Sequence, residues 1–194
     1  LLVGKKLGQS YIHKDYNTGA IFGVVSAITP TLRTISSPGT AKVTSSDIAT
    51  TAALINKQVE GLQAKGVNKI ILVSHLQGVA YDKQLIALLK DVDVAIAGGG
   101  DDLLTSPDVP ESIQLIPGEG KPVGKYPEMV KDANGVDVPL ITTKGGYNYL
   151  GRFDVAFDAK GKVSSYNKTT SYPRRVIPSS AVSRALGVTD AVNP

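Results

Sequence analysis

Apolar residues recur along this chain with two different periods, and the alternation between them predicts its architecture. A continuous apolar run at 21–28 (Ile21-Phe22-Gly23-Val24-Val25-Ser26-Ala27-Ile28), closed by Thr29-Pro30, reads as a buried strand. Positions 31–44 are rich in Ser, Thr, Pro and Gly and predict a surface loop. Ser45-Ser46-Asp47 then offers N-cap groups, and Ile48, Ala52, Ile55, Val59 and Leu62 follow at helical spacing until Gly66. The short run at 69–74 predicts a second strand, 82–90 a second helix with Leu85, Ile86, Leu88 and Leu89 on its apolar face, and 92–96 a third strand. Strand, helix, strand in this order implies βαβ units and a parallel sheet.

The character changes after Gly100. From 105 to 136 the chain is loaded with Pro, Gly and charge, which predicts long loops. A strand follows at 138–142. The segments 149–157 and 163–170 then alternate, with Phe153, Val155 and Phe157 on one face and Asp158-Ala159-Lys160-Gly161 between them, and predict an antiparallel hairpin. Beyond Pro173 the pattern predicts loop, with at most one short helix at 181–186. There is no internal repeat and no linker, so the reading is a single α/β domain over 1–194.

Composition narrows the function. With 194 residues, 42% hydrophobic and 20% charged, the chain has ample material for a core. The net charge of +4 is mild and its basic residues are scattered, so no nucleic-acid-binding stripe is expected. The absence of cysteine excludes disulfides, thiol nucleophiles and thiolate metal sites. No apolar run is long enough for a membrane span, and no signal peptide is visible. The chain opens on Leu1-Leu2-Val3 with no Met, which reads as a trimmed chain.

Two predicted strands stop on residues able to hold a metal or an anion. One ends on Ser74-His75, the other on Gly98-Gly99-Gly100-Asp101-Asp102. Ligands of α/β proteins sit beyond the carboxyl ends of strands, so His75 and Asp101 are the leading site candidates. The glycine run lacks the spacing of a dinucleotide fingerprint. It reads either as a turn needing positive φ or as a nest of N–H groups for phosphate, with Asp102 capping or solvating the loop. Gly145-Gly146-Tyr147-Asn148 follows a further strand end. His13 lies in a polar stretch and reads as a surface residue. Asn167-Lys168-Thr169 fits a glycosylation acceptor.

The order of these pieces resembles the second half of the catalytic domain of the calcineurin-like metallophosphoesterases, in the branch of secreted 5′-nucleotidases. The resemblance rests on Lys14-Asp15-Tyr16-Asn17 leading into Phe22-Gly23-Val24-Val25, on Lys69–His75 with Leu76, on Val92-Asp93-Val94, and on Tyr149-Leu150-Gly151-Arg152-Phe153-Asp154-Val155 with its hairpin. It implies part of a layered α/β/β/α sandwich. It also implies two divalent metals held by Asp, His and Asn at strand ends, which bridge a phosphate and generate a hydroxide nucleophile. By the same resemblance His75 is a metal ligand, and Gly99 and Asp101 fall on two family histidines, of which only Asp101 keeps a side chain that binds metal. Gly99, Gly100, Tyr147 and Asn148 are then near substrate.

The family's earlier ligands have no counterpart here. The expected partners are therefore a phosphate monoester or nucleotide and an N-terminal half of the same protein, docked along an unpaired sheet edge. Export to the periplasm or outside is implied by the resemblance alone. The competing expectation is a non-catalytic module that kept the fold, lost the dimetal site and binds an anion or a protein.

Overall fold

The computed structural model of the chain describes residues 10–176. Strand β1 (Tyr11–Lys14) reverses through a bend in which the Asp15 carboxylate accepts from the N–H groups of Asn17 and Thr18, and enters β2 (Ile21–Ile28). One exposed helical turn, α1 (Leu32–Ile35), interrupts the stretch expected to be loop. Helix α2 (Ile48–Gln63) matches its periodicity. Asp47 caps it by accepting from Thr50 N–H at 2.7 Å, and Ala52, Ile55, Val59 and Leu62 are all buried. Strand β3 (Ile70–His75), helix α3 (Val79–Ile86) and strand β4 (Val94–Gly98) complete the parallel core.

Short elements come next: β5 (Leu104–Thr105), α4 (Glu111–Gln114), β6 (Gly124–Lys125), β7 (Glu128–Lys131) and β8 (Asp137–Ile141). The described chain closes with β9 (Tyr149–Arg152), β10 (Val155–Phe157), β11 (Val163–Tyr166) and β12 (Tyr172–Arg175). The main sheet has six strands in the order β1-β2-β3-β4-β8-β7. β2, β3, β4 and β8 are parallel, and the edge strands β1 and β7 run antiparallel to their neighbours.

The two faces of this sheet differ sharply. Val25, Leu72, Ala95 and Leu140 are in register across four strands, and each is completely buried beneath α2 and α3. The row one residue further on points the other way, because side chains alternate along a strand. There Val73 and Ile96 are 42% and 40% exposed. The β10–β11 hairpin roofs only the end of this face nearest Phe22, where the Phe22 and Phe157 rings meet edge-on at 5.8 Å. His75 lies at the other end of the same open face, in register with Ile28 and Gly98.

Several expectations need correction. The hairpin is shorter than 149–157 with 163–170: β10 pairs with β11, whereas β9 pairs with β12 beyond it. The chain bends at Asp154, whose N–H donates to Ser171 Oγ and whose carboxylate takes Arg152. Pro173 suggested loop, yet it pairs with Gly151 in a two-stranded ribbon, where a missing N–H is tolerated. The segment 105–136 is mainly loop, as its composition predicted, but it is not featureless. It carries four short elements, organised around Gln114, whose fully buried amide bonds to Ser106 and Val109. Helix α3 begins three residues earlier than expected and ends at Ile86, leaving Leu89 buried just past it. The helix expected at 181–186 lies outside the described residues.

Candidate active site at the strand ends

Three parallel strands deliver their carboxyl ends to one rim of the sheet. β3 ends on His75, whose side chain is exposed on the open face. β4 runs out through Gly98 into the loop Gly99–Asp102. β8 leads through Thr142 and Thr143 to Lys144, and Thr142 ties this end to β4 by donating its hydroxyl to the Ala97 carbonyl at 2.9 Å.

The two adjacent aspartates of the β4 loop have different surroundings. Asp102 accepts from the N–H of Val79 at 2.8 Å, so it caps α3 from 23 residues away rather than its own loop. Asp101 turns toward β8: its Oδ1 lies 3.2 Å from where a Cβ on Gly145 would sit. Asp101 also lends charge to Lys144, whose pKa is raised chiefly by its hydrogen bond to Glu119 and that carboxylate's charge. The Lys144–Glu119 contact is 2.6 Å, and Glu119 also accepts from Tyr149 Oη at 3.0 Å. Burial pushes the Tyr149 phenol up to about 12, so it is a neutral donor.

The glycines of this loop are spacers. At Gly99, φ is +73°, and a Cβ would fall 2.8 Å from Gln77 Nε2 and 2.9 Å from His75 Nε2. At Gly100, φ is +91°, and a Cβ would meet the Gln77 carbonyl at 2.8 Å. Gln77 itself has φ +73°, one of three non-glycine residues with positive φ among those described. Tyr147 is another, and its side chain is 98% exposed beyond the rim. Asn148 is exposed on the same loop, and its carbonyl accepts from Val176 N–H. His13 is exposed on β1, remote in sequence and position from this rim.

Beneath the rim, on the helix-covered side, lies a buried carboxyl that the sequence reading did not single out. Asp82 of α3 is 1% exposed and accepts from the Ser74 hydroxyl, and its Oδ2 has no hydrogen-bond partner. Burial raises its pKa to about 6, opposed by the Ser74 bond and reinforced by the charge of Asp102. Gln77, Lys144, Glu119 and Asp82 are thus the rim residues that sequence reasoning missed. Lys144 was open to discovery, since it follows a strand end by the same logic that selected His75.

Among the described residues, no three His, Asp or Glu side chains gather as a metal cage. His75 and Asp101, the two expected donors, both stand at this rim, and each is of a type that binds divalent first-row ions. No described helix is long and apolar enough to cross a membrane.

Comparison with known proteins gives a consistent result. No family model matches the chain. It is 33% identical over 143 residues to a 5′-nucleotidase of Bos taurus, covering 74% of this chain and 22% of that protein. It is 27% identical over 175 residues to a 5′-nucleotidase of Rattus norvegicus, covering 90% of this chain and 27% of the relative. Among solved structures, a 5′-nucleotidase precursor from Thermus thermophilus superposes with a TM-score of 0.67 at 31% identity, over 85% of this chain and 30% of that one. The chain therefore spans between a fifth and a third of the proteins it matches.

Proposed function

We infer that this chain, which belongs to the 5′-nucleotidase-like metallophosphoesterases, supplies one part of a phosphate-ester hydrolase site at the carboxyl ends of β3, β4 and β8. The observation that carries the reading is His75, standing at a strand end on a sheet face that the described residues leave largely open. His75 and Asp101 would hold a divalent ion there, together with ligands from polypeptide packed over Val73 and Ile96. Bound there, such an ion would supply Lewis acidity toward the phosphate and toward a water nucleophile. Lys144, at the same rim, adds positive charge beside Asp101. The substrate class is a nucleotide or another phosphate monoester, by analogy with the relatives' names. Export to the periplasm or outside the cell accords with the Thermus neighbour being described as a precursor.

A second reading has its own support. Gly99 carries no side chain, and two ligands alone do not fix an ion. That favours a non-catalytic module holding an anion or a protein.

The two readings part on one experiment. Mn²⁺ binding and hydrolysis of a nucleoside monophosphate are measured on the intact natural protein and on His75→Ala and Asp101→Ala variants. Loss of both by tenfold or more in His75→Ala, with a smaller loss in Asp101→Ala, supports the hydrolase. Mn²⁺ affinity unchanged in both variants moves the binding module ahead.

A further inference from the structure

We propose that Gln77 is a phosphate-positioning residue of this site, its carboxamide donating to an oxyanion held above the Gly99–Gly100 turn. The proposal rests on the phosphate-ester reading above and extends it to a residue that no motif marks.

The geometry is unusual for glutamine. Gln77 sits two residues past His75 in a left-handed conformation that β-carbon sterics disfavour and that a glycine would adopt freely. Its side chain is exposed and packs over Gly99 beside the His75 imidazole. Strained backbone of this kind persists where the surroundings impose it, and it concentrates at ligand-binding positions.

What the strain achieves is convergence. Gln77 Nε2 and His75 Nε2 lie within 2.8 and 2.9 Å of one point, the position a Cβ on residue 99 would take. The side chains of Gln77 and His75 therefore pack side by side against Gly99, leaving no room for a larger residue there and bringing their donor nitrogens to one edge of the turn. The backbone of Gln77 locks this arrangement from below, since its carbonyl closes over Gly100. Asp102 holds the other side of the turn by capping Val79. A neutral amide N–H suits this place. It donates to a phosphate oxygen without competing with the imidazole for the ion, and it adds no charge beside Asp101.

The test uses the intact protein saturated with Mn²⁺ and titrated with inorganic phosphate in a calorimeter. Gln77→Gly releases the strained φ, so its melting temperature is expected to be equal to or above the parent's. Its Mn²⁺ affinity is expected within about twofold, while phosphate affinity falls about tenfold or more, the scale of one hydrogen bond to a charged group. Gln77→Glu keeps the chain length and is expected to weaken phosphate further by charge repulsion.

Phosphate affinity within twofold of the parent in both variants overturns the proposal. So does a Gln77→Glu variant that binds Mn²⁺ more tightly and phosphate equally well, which would make residue 77 an ion ligand. His75→Ala separates the two levels of inference. If it loses Mn²⁺ while both Gln77 variants keep phosphate, only the role of Gln77 falls. If it binds Mn²⁺ and phosphate like the parent, the site itself is misplaced and Gln77 falls with it.

Discussion

The two ends of the parallel sheet each bury an aspartate, and the surroundings of the two carboxylates are opposite in kind. At the amino end, Asp93 is 5% exposed. It accepts from Ile70 N–H at 2.7 Å and from Lys162 Nζ at 3.0 Å. Burial still raises its pKa, against the pull of the Ile70 bond and of Lys162. At the carboxyl end, Asp82 has a single hydroxyl partner and an orphaned oxygen. The first arrangement is satisfied and fastens the β10–β11 hairpin to the sheet. The second leaves polar capacity unused beneath the rim where His75, Gln77 and Asp101 gather. One end thus holds its carboxylate in a paired, hydrogen-bonded setting, while the end read as functional keeps a buried carboxyl oxygen without a partner.

Substitutions can break this contrast. The largest effect is expected from Gly161→Ala at the amino end. Its φ is +85°, and a Cβ would run into the carbonyl of Asn68, so a loss of about 4 kcal/mol is expected in urea unfolding. A loss below about 1 kcal/mol would show that the hairpin turn detaches freely and is no anchor.

Asp82→Asn probes the other end through pH. Because the folded pKa of about 6 exceeds the ordinary value of 3.8, folding takes up a proton between them. The contribution of Asp82 to stability is therefore full below about pH 4 and is lost as pH rises through 6. The amide variant is expected to abolish this fall, worth about 2–3 kcal/mol, so that it gains on the parent at pH 7–8. An unchanged pH profile would mean that Asp82 titrates normally.

Lys162→Met removes the partner of Asp93 and Asp91. The expected loss is about 2 kcal/mol at pH 7, reduced because Lys162 is 41% exposed, and smaller at lower pH, because burial holds the Asp93 pKa up and the unpaired carboxyl takes a proton instead. Equal losses at both pH values would contradict the pairing. The smallest effect is expected from Asp102→Ala, about 1 kcal/mol for a lost helix cap, read as a lower thermal midpoint. Asp102→Asn, which still accepts from Val79 N–H, should recover most of it.

Much of the scaffold was legible in the sequence because its signals are local. Helix α2 announces itself by its apolar spacing and by Asp47, and β3 and β4 by continuous apolar runs. What escaped depends on distant partners. The first turn of α3 is capped by a side chain 23 residues away, which no local pattern contains. Strand β12 was hidden by Pro173, whose place in a two-stranded ribbon only the partner β9 explains. The rim divides in the same way. His75 was visible because a strand ends on it. Gln77 was invisible because glutamine is no signal for a left-handed turn; Lys144 stood at a strand end, but its pairing with Glu119 was hidden because it joins segments 25 residues apart.

The neighbouring aspartates of the β4 loop have one further consequence. Asp102 is fixed to Val79 and Asp101 reaches the β8 loop, so the three glycines before them act as a measured length of chain. Surface loops ordinarily accept insertions and deletions. Removing one glycine here would leave the composition almost unchanged, yet it would draw both carboxylates back toward β4. Natural or designed variants of this segment are therefore constrained in length as well as in residue type.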